Sequence, residues 1–327
     1  PKQELERRGI DPIVLEVKGT FNLRLLWKLA RITWRNRVDI IHSHLLGSNV
    51  YCAMVGLLTR RPVIATFHGM IDVSPGERFR RLKFWIMNLG VDRFVTVSQR
   101  LMEVIRDEGL LDPKRTTIIY NGADTRRYGK SSTKSELVSR LGIGEPCKLI
   151  GSLGNMHPAK GYDDLVAAVP LVLQRYPDVH FVIAGQLRED IVEQLEASMA
   201  ELGVSGRVHF IGFIDDTARF LSQLDVFLLT SKSEGFSIAM IEALATGLPV
   251  VATRCGGPEE IAKDSDAALL VDVGSPSQIA EAVISVLESE ALSSKLSTLG
   301  PSLVAERFSY AAMLDAYSRL YAYVQRR

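Results

Sequence analysis

The 327-residue chain has no run of about 18 apolar residues, which excludes a helix spanning a membrane. Its opening, PKQELERRG, is polar and lacks the apolar centre of a secretory leader. Cysteine is scarce: Cys52, Cys147 and Cys255 are far apart and odd in number, so they form neither a disulfide framework nor a zinc knuckle. They read as small, reduced, buried residues of a cytoplasmic protein. Net charge is nearly absent at +1, and 46% hydrophobic residues with 24% charged ones describe a soluble globular chain. No Gly-x4-Gly-Lys-Ser/Thr phosphate loop is present, nor a Gly-x-Gly-x-x-Gly fingerprint after a strand. No nucleic-acid-binding module accompanies the basic residues, so no nucleic-acid partner is expected.

Length and an uneven spread of charge are what the chain does offer. Two domains are expected from its size. Residues 1–129 carry 22 Lys and Arg against 13 Asp and Glu, a net of +9, and the remainder carries 17 against 25, a net of −8. That shift puts a boundary near residue 130. Arg24, Lys28, Arg31 and Arg35 fall on one helical stripe, and Arg78, Arg80, Arg81 and Lys83 cluster beside Phe79, Phe84 and Trp85. Both groups read either as solvated faces or as a surface for an anionic membrane, which would place the protein peripherally on the inner face of one.

Short β-rich runs alternate with amphipathic stretches throughout. Ile13–Val17, Asp39–His42, Val63–Thr66, Arg93–Val97 and Thr116–Ile119 read as strands, with helices near 23–36, 46–59, 77–89 and 98–108. Later strands fall at Lys148–Leu153, His180–Ala184, Val208–Ile211, Val226–Leu229, Val250–Ala252 and Ala268–Val271, with helices near 160–175, 190–202, 216–223, 237–246 and 276–290. A helix after each strand implies right-handed crossovers and parallel sheets. The expected fold is two doubly wound, Rossmann-like α/β domains, 1–129 and 148–305, with a polar linker at 130–147 and a last stretch at 306–327.

The chemistry-bearing stretch is 234–242, EGFSIAMIE, in which Glu234 and Glu242 enclose seven residues. It follows an apolar strand, turns at Gly235 and enters a helix. Free N–H groups and the dipole at a helix start suit an anion; the same pattern also describes a capped helix with a surface Glu. Lys160 stands at another strand–helix junction, after Gly154, where it reads either as a phosphate counter-ion or as a solvated helix-start lysine. Gly185, after Ala184, and Gly212-Phe213-Ile214 bring backbone to the same edge, suited to a base or ribose. Gly256-Gly257-Pro258-Glu259-Glu260 reads as a closing turn. Asp264-Ser265-Asp266 spells a metal-binding triplet that is common by chance, and reads as surface.

These runs together resemble one family. Lys160-Gly161 and EGFSIAMIEALATGLPVVATRCGG are similar to the C-terminal domain of the retaining glycosyltransferases of family four. DIIHSHLLGSN, ATFHG, DRFVTVS, IIYNGADTRRY and RFSYAAMLDAYSRLY resemble other segments of that family, so the likeness covers nearly the whole chain. It implies the GT-B architecture, two Rossmann-like domains facing across a cleft, with 306–327 crossing back to the first. It further implies a UDP- or GDP-linked sugar as donor, a glycan or lipid-linked acceptor of cell-surface synthesis, and no metal or other cofactor. Glu234 would accept hydrogen bonds from the sugar hydroxyls, and the N–H groups from Gly235, Phe236 and Ser237 to Ile238 would face sugar or phosphate oxygens. Glu242 would hold the ribose, Lys160 would neutralise the leaving diphosphate, and His68 would face the sugar from the first domain. Hydrolases with paired carboxylates place a nucleophile about 5 Å from the acid; here both glutamates resemble binding groups.

Three departures from the family pattern stand out. No Arg lies between 151 and 160, where Asn155, Met156 and His157 occur instead; an absent charge-assisted contact is worth about 1.5–3 kcal/mol, which His157 could replace in part. The loop after Gly185 is short. The family's first strand and Gly-Gly loop have no counterpart before the opening helix, so weak or no turnover is expected of this chain, with donor binding retained. A nucleotide-sugar epimerase of the same architecture and a non-catalytic nucleotide-sugar binder are the other classes the sequence leaves open.

Overall fold

The computed structural model describes residues 5–6, 9–15, 21–129 and 135–326. The first sheet has four strands in sequential order: β1 (Ile41–His44), β2 (Val63–Phe67), β3 (Arg93–Thr96) and β4 (Thr116–Ile118). The second comprises β5 (Lys148–Leu153), β6 (Val179–Ala184), β7 (Val208–Gly212), β8 (Val226–Leu229), β9 (Val250–Thr253) and β10 (Leu269–Val271), in the spatial order β10-β9-β8-β5-β6-β7. The pairings among these strands are parallel. The order reverses between β5 and β8, the place where α/β sheets open a crevice for ligands.

Alternation along the strands fixes the layers. In β2, Val63, Ala65 and Phe67 pack with residues of α2 (Leu46–Thr59), α3 (Arg80–Gly90) and α4 (Gln99–Asp107). Ile64 faces the other way, with Val95 and Ile119, and this face is covered by the last helix, α13 (Tyr310–Gln325), through Met313, Tyr317, Leu320 and Val324. The end of the chain therefore forms a layer of the first domain. In the second domain, Ile150, Phe181 and Leu228 pack against α6 (Tyr162–Leu173), α7 (Glu189–Glu201) and α11 (Pro276–Glu288). Leu149, Val182 and Phe227 pack against α5 (Ser135–Leu141), α8 (Thr217–Ser222), α9 (Ile238–Thr246), α10 (Gly257–Ala262) and α12 (Glu290–Arg307). Helix α1 (Leu23–Arg35) is capped by Asn22, whose side chain accepts from Arg24 N–H and Leu25 N–H, and it packs beside α2.

Several expectations need correction. Ile13–Leu15 carry no strand, and the rest of the Ile13–Val17 run lies outside the described residues. The strand expected at Asp39–His42 begins at Ile41, because the chain leaving α1 turns through Arg37 at φ +50° and Val38 N–H returns to Thr33 O at 3.1 Å. The stretch read as linker contains α5, anchored where Leu137 and Val138 enter the core and Leu137 N–H donates to Gln223 Oε1 at 2.9 Å. Gly256–Glu260 is the start of α10 rather than a turn. The three cysteines are free but half-buried. Asp264 and Asp266 are exposed, and Asp266 pairs with Lys295 at 2.7 Å.

Chain crossover between the sheets is held by backbone and aromatic rings. Ala123 N–H donates to Phe308 O at 2.9 Å and Tyr310 N–H to Ala123 O at 2.8 Å. The Phe308 ring, 1% exposed, lies 5.4 Å from that of Tyr120 and 5.6 Å from that of Phe236. Truncating it opens a cavity shared by both domains. Phe308→Ala is expected to lower the unfolding free energy by about 3–5 kcal/mol and to split the calorimetric transition into two; a single transition at the original temperature contradicts this account of the junction.

Candidate functional site

The site is assembled at the carboxyl ends of β5 and β8. After β5 the chain passes Gly154 and makes a single turn, Pro158–Lys160, before α6. This turn is sewn to the end of β8: Lys232 N–H donates to Ala159 O at 2.7 Å, and the Thr230 hydroxyl donates to Lys160 O at 3.1 Å. Lys160 Nζ thereby reaches Glu234 Oε1 at 2.7 Å, with the two side chains 24% and 13% exposed. Ser231 adds a hydroxyl donor to the same oxygen at 2.8 Å. A Cβ on Gly154 would lie 3.0 Å from Lys160 Cε and 3.2 Å from its Nζ, so the bare backbone there is what admits the ammonium. Tyr162 closes the floor by donating to Gly154 O at 2.8 Å.

The facing wall comes from the first domain. A Cβ on Gly235 would sit 2.8 Å from Gly69 Cα and 3.2 Å from His68 O. The chain bends at Gly235 as expected, but the glycine is required by this close approach and not by a left-handed φ. The loop after β2 is held in place by buried Asp72, which accepts from His68 N–H at 2.8 Å and Leu46 N–H at 3.0 Å. The His68 ring meets His44, with Nε2 to Nδ1 at 2.8 Å. Behind them His42 bonds the hydroxyls of Tyr321 at 2.7 Å and Thr66 at 2.8 Å.

Just over one turn into α9, Glu242 is half-buried and accepts from the Tyr128 hydroxyl at 2.6 Å. Burial raises its carboxyl pKa, opposed by Tyr128, Arg127 and Thr217. Tyr128 and Thr217 escape a sequence reading, since each acts through a partner remote in the chain, and Ser231 and Tyr162 escape it because nothing in their local order marks the oxygen each one meets. A polar Tyr at the end of IIYNGADTRRY was the one available hint.

The other expected positions divide. Gly185 sits against Gly154 O and Asn155 N, closing the loop behind Lys160. The Asn155 side chain accepts from Gln186 N–H at 3.0 Å, and His157 Nδ1 from Ala159 N–H at 3.2 Å, so both shape the loop. Ser237 caps α9 by accepting from Met240 N–H at 3.3 Å, and the Phe236 ring is buried in the junction, leaving only their backbone for a ligand. Ile238 is exposed on the first turn of α9. Phe213 and Ile214 line a depression with α5 and α8 rather than the wall around Lys160. Among the described residues no group of three or more His, Cys, Asp or Glu is arranged to hold a metal ion.

Two tandem Rossmann-like parallel domains, with the last helix returned to the first, constitute the GT-B architecture. The sequence matches the families described as Glycosyl transferases group 1 over residues 133–301 and Glycosyltransferase Family 4 over residues 1–127, and the chain belongs to this family of glycosyltransferases. N-acetyl-α-D-glucosaminyl L-malate synthase of Bacillus anthracis is 27% identical over 309 residues, 92% of this chain and 79% of its own. The lipopolysaccharide core biosynthesis glycosyltransferase LpsE of Rhizobium meliloti is 34% identical over 174 residues, 53% of this chain and 49% of its own. Among solved structures, HepE of Anabaena in complex with UDP superposes with a TM-score of 0.87 at 23% identity, over 98% of this chain and 88% of HepE.

Histidine charge is the pH-sensitive element. Burial, reinforced by His44 and His68, pushes His42 down to about 4. His180 is pushed down to about 4 by burial and then by His209 and Arg207. His44, His68 and His209 are lowered too, burial being the first cause in each. A folded-state pKa below the unfolded one means that the unfolded chain binds more protons. Stability is therefore full above about 6.5, the ordinary His value, and is lost as pH falls from there toward 4. After discounting for partial exposure, unfolding by urea is expected to require about 1–3 kcal/mol less at pH 5 than at pH 7.5; equal values at the two pH settings refute the assignment.

Proposed function

We propose that the protein transfers a sugar from a nucleoside-diphosphate sugar to a hydroxyl of a glycan or lipid-linked acceptor, with retention of anomeric configuration. The observation that carries this reading is the meeting of Lys160 and Glu234 at the switch point of the second sheet, against the His68–Gly69 backbone of the first domain. Breaking the C1–O bond of a glycosyl phosphate leaves positive charge on the ring and negative charge on the diphosphate. The Lys160 ammonium and the N–H groups at the start of α9 oppose the second charge and act most strongly in the transition state. Glu234 accepts from hydroxyls of the sugar, Glu242 from those of the ribose, and His68 flanks the sugar. The acceptor oxygen bonds C1 on the face the diphosphate leaves, and its proton passes to the departing phosphate oxygen. Charge stabilisation comes from Lys160 and backbone, so the scheme uses no metal. UDP is the first nucleotide to try, given the HepE complex, and GDP the second.

The acceptor side draws on the first domain's surface. Helix α1 exposes Leu23, Trp27 and Trp34 beside Arg24, Lys28, Arg31 and Arg35, and α3 exposes Leu82, Trp85 and Leu89 near Phe79, Arg78 and Arg81. Arg80 and Lys83 do not contribute, because they pair with Glu108 and Glu77. Aromatic rings interleaved with cations suit the headgroup region of an anionic bilayer, and among the described residues no helix is long and apolar enough to cross one.

Two experiments test these readings. Purified protein is expected to bind a UDP- or GDP-sugar and, with a panel of glycan and lipid-linked acceptors, to form glycoside only slowly, in the presence of EDTA as without it, and Lys160→Ala to lower kcat/KM by about 10²–10³-fold. Undiminished turnover by that variant, or isomerised donor without acceptor, overturns the assignment. In sedimentation with vesicles, the protein is expected to pellet with anionic lipid at low salt and to be released at about 0.5 M salt; equal binding to neutral vesicles speaks against the charged surface.

A further inference from the structure

We propose that Tyr128 is a positioning residue for recognition of the nucleotide ribose, holding Glu242 so that the pair presents only acceptors to the cis-diol of a nucleoside diphosphate. The inference rests on the reading of Glu242 as the ribose carboxylate. Tyr128 ends the segment by which the chain leaves the first domain, and its ring packs on the core of the second. Its hydroxyl donates to Glu242 Oε1 at 2.6 Å, and Thr217 Oγ1 lies 3.3 Å from the same phenolic oxygen. A phenol has one proton. With that proton on Glu242, the Thr217 hydroxyl is the donor in the second contact.

The consequence is a specific chemical face. An ionised carboxylate has about four acceptor positions, of which Tyr128 occupies one and Thr217 competes for a second, leaving about two for a ligand. Two adjacent ribose hydroxyls offer two donors, so the match is donor for acceptor. Burial pushes the Tyr128 phenol up, which keeps its proton in place to donate. The contrast with Glu234 sharpens the assignment: that carboxylate is paired directly with the Lys160 ammonium, whereas the direct partners of Glu242 are neutral hydroxyls, and Arg127 acts on it only through its field. A cation paired directly to Glu242 would blunt its power as an acceptor; a neutral donor orients it without doing so.

The test separates orientation of a carboxylate from packing of a ring. Calorimetric affinities are measured for UDP and 2′,3′-dideoxy-UDP, or for the guanine pair if GDP is the nucleotide that stabilises the protein, with wild type, Tyr128→Phe, Glu242→Gln and the double variant. Wild type is expected to prefer the ribonucleotide. Tyr128→Phe keeps the ring and is expected to lose about tenfold for the ribonucleotide with no change for the dideoxy form. In the Glu242→Gln background the same substitution is expected to have no further effect. Equal losses for the two nucleotides, or an undiminished Tyr128→Phe effect in the Glu242→Gln background, overturn the proposal while leaving the ribose reading intact. Absence of any preference in the wild type overturns the ribose reading itself.

Discussion

Lys160 and Glu234 meet because β5 and β8 are neighbours in space while the β6 and β7 units lie between them in sequence. The reversal of strand order forces the loops after these two strands to diverge to opposite faces, and the gap so made is lined by whatever those loops carry. In this chain they carry an ammonium and a carboxylate at 2.7 Å. A partly buried ion pair is a poor source of stability, since removing two charges from water offsets most of their attraction. Its place at the strand ends is better explained by what each member can exchange. A phosphate can take over the ammonium, and sugar hydroxyls can take over the carboxylate, without leaving either charge unpartnered.

Charge in the site is divided, not pooled. Glu234 shares one oxygen between Lys160 and Ser231, and Glu242 lies in a pocket of hydroxyls from Tyr128 and Thr217. The first arrangement suits a place where charge changes during reaction, because the cation is already present and needs little reorganisation. The second suits a place where nothing changes and only recognition is needed. Two chemically identical side chains on one helical entry thus differ through their partners.

Much of this was legible from residue order, and the remainder failed for a definable reason. A strand such as Val226–Leu229 is a run of apolar residues buried on both faces, and composition alone marks it. The Glu-x7-Glu spacing and Lys160 point to the sheet edge at which Lys160 and Glu234 do meet. Periodicity reports burial, however, and not partnership. Nothing in the run Arg78–Lys83 tells that Arg80 and Lys83 are spent on Glu108 and Glu77, so the basic surface was overdrawn by two charges. Helix α5 was missed because its polar flank reads as linker, while the two residues that anchor it are only meaningful once the core is built. The bend at Gly235 is legible in the sequence; that its glycine also answers to Gly69, 166 positions earlier in the chain, is information held by the assembled domains.

The same loops that bring Lys160 and Glu234 together also join the domains. Gly235 touches Gly69, Phe236 stacks on Tyr120 at 5.7 Å, and Glu242 holds Tyr128. From α10, Glu260 accepts from Gln99 N–H at 2.5 Å and Arg100 N–H at 3.4 Å, a carboxylate at the N-terminus of α4, where the helix dipole favours it. These contacts all spring from residues 234–260 of the second domain and end on the loops after β2, β3 and β4 of the first. A ligand that alters the 234–242 stretch therefore acts on the domain junction through shared atoms, with no separate transmission needed. The terminal helix limits the response, since α13 is docked on the far face of the first sheet and bonded to Ala123 at its start. The two chain crossings between the domains, after β4 and before α13, meet at this Ala123–Ser309 bridge.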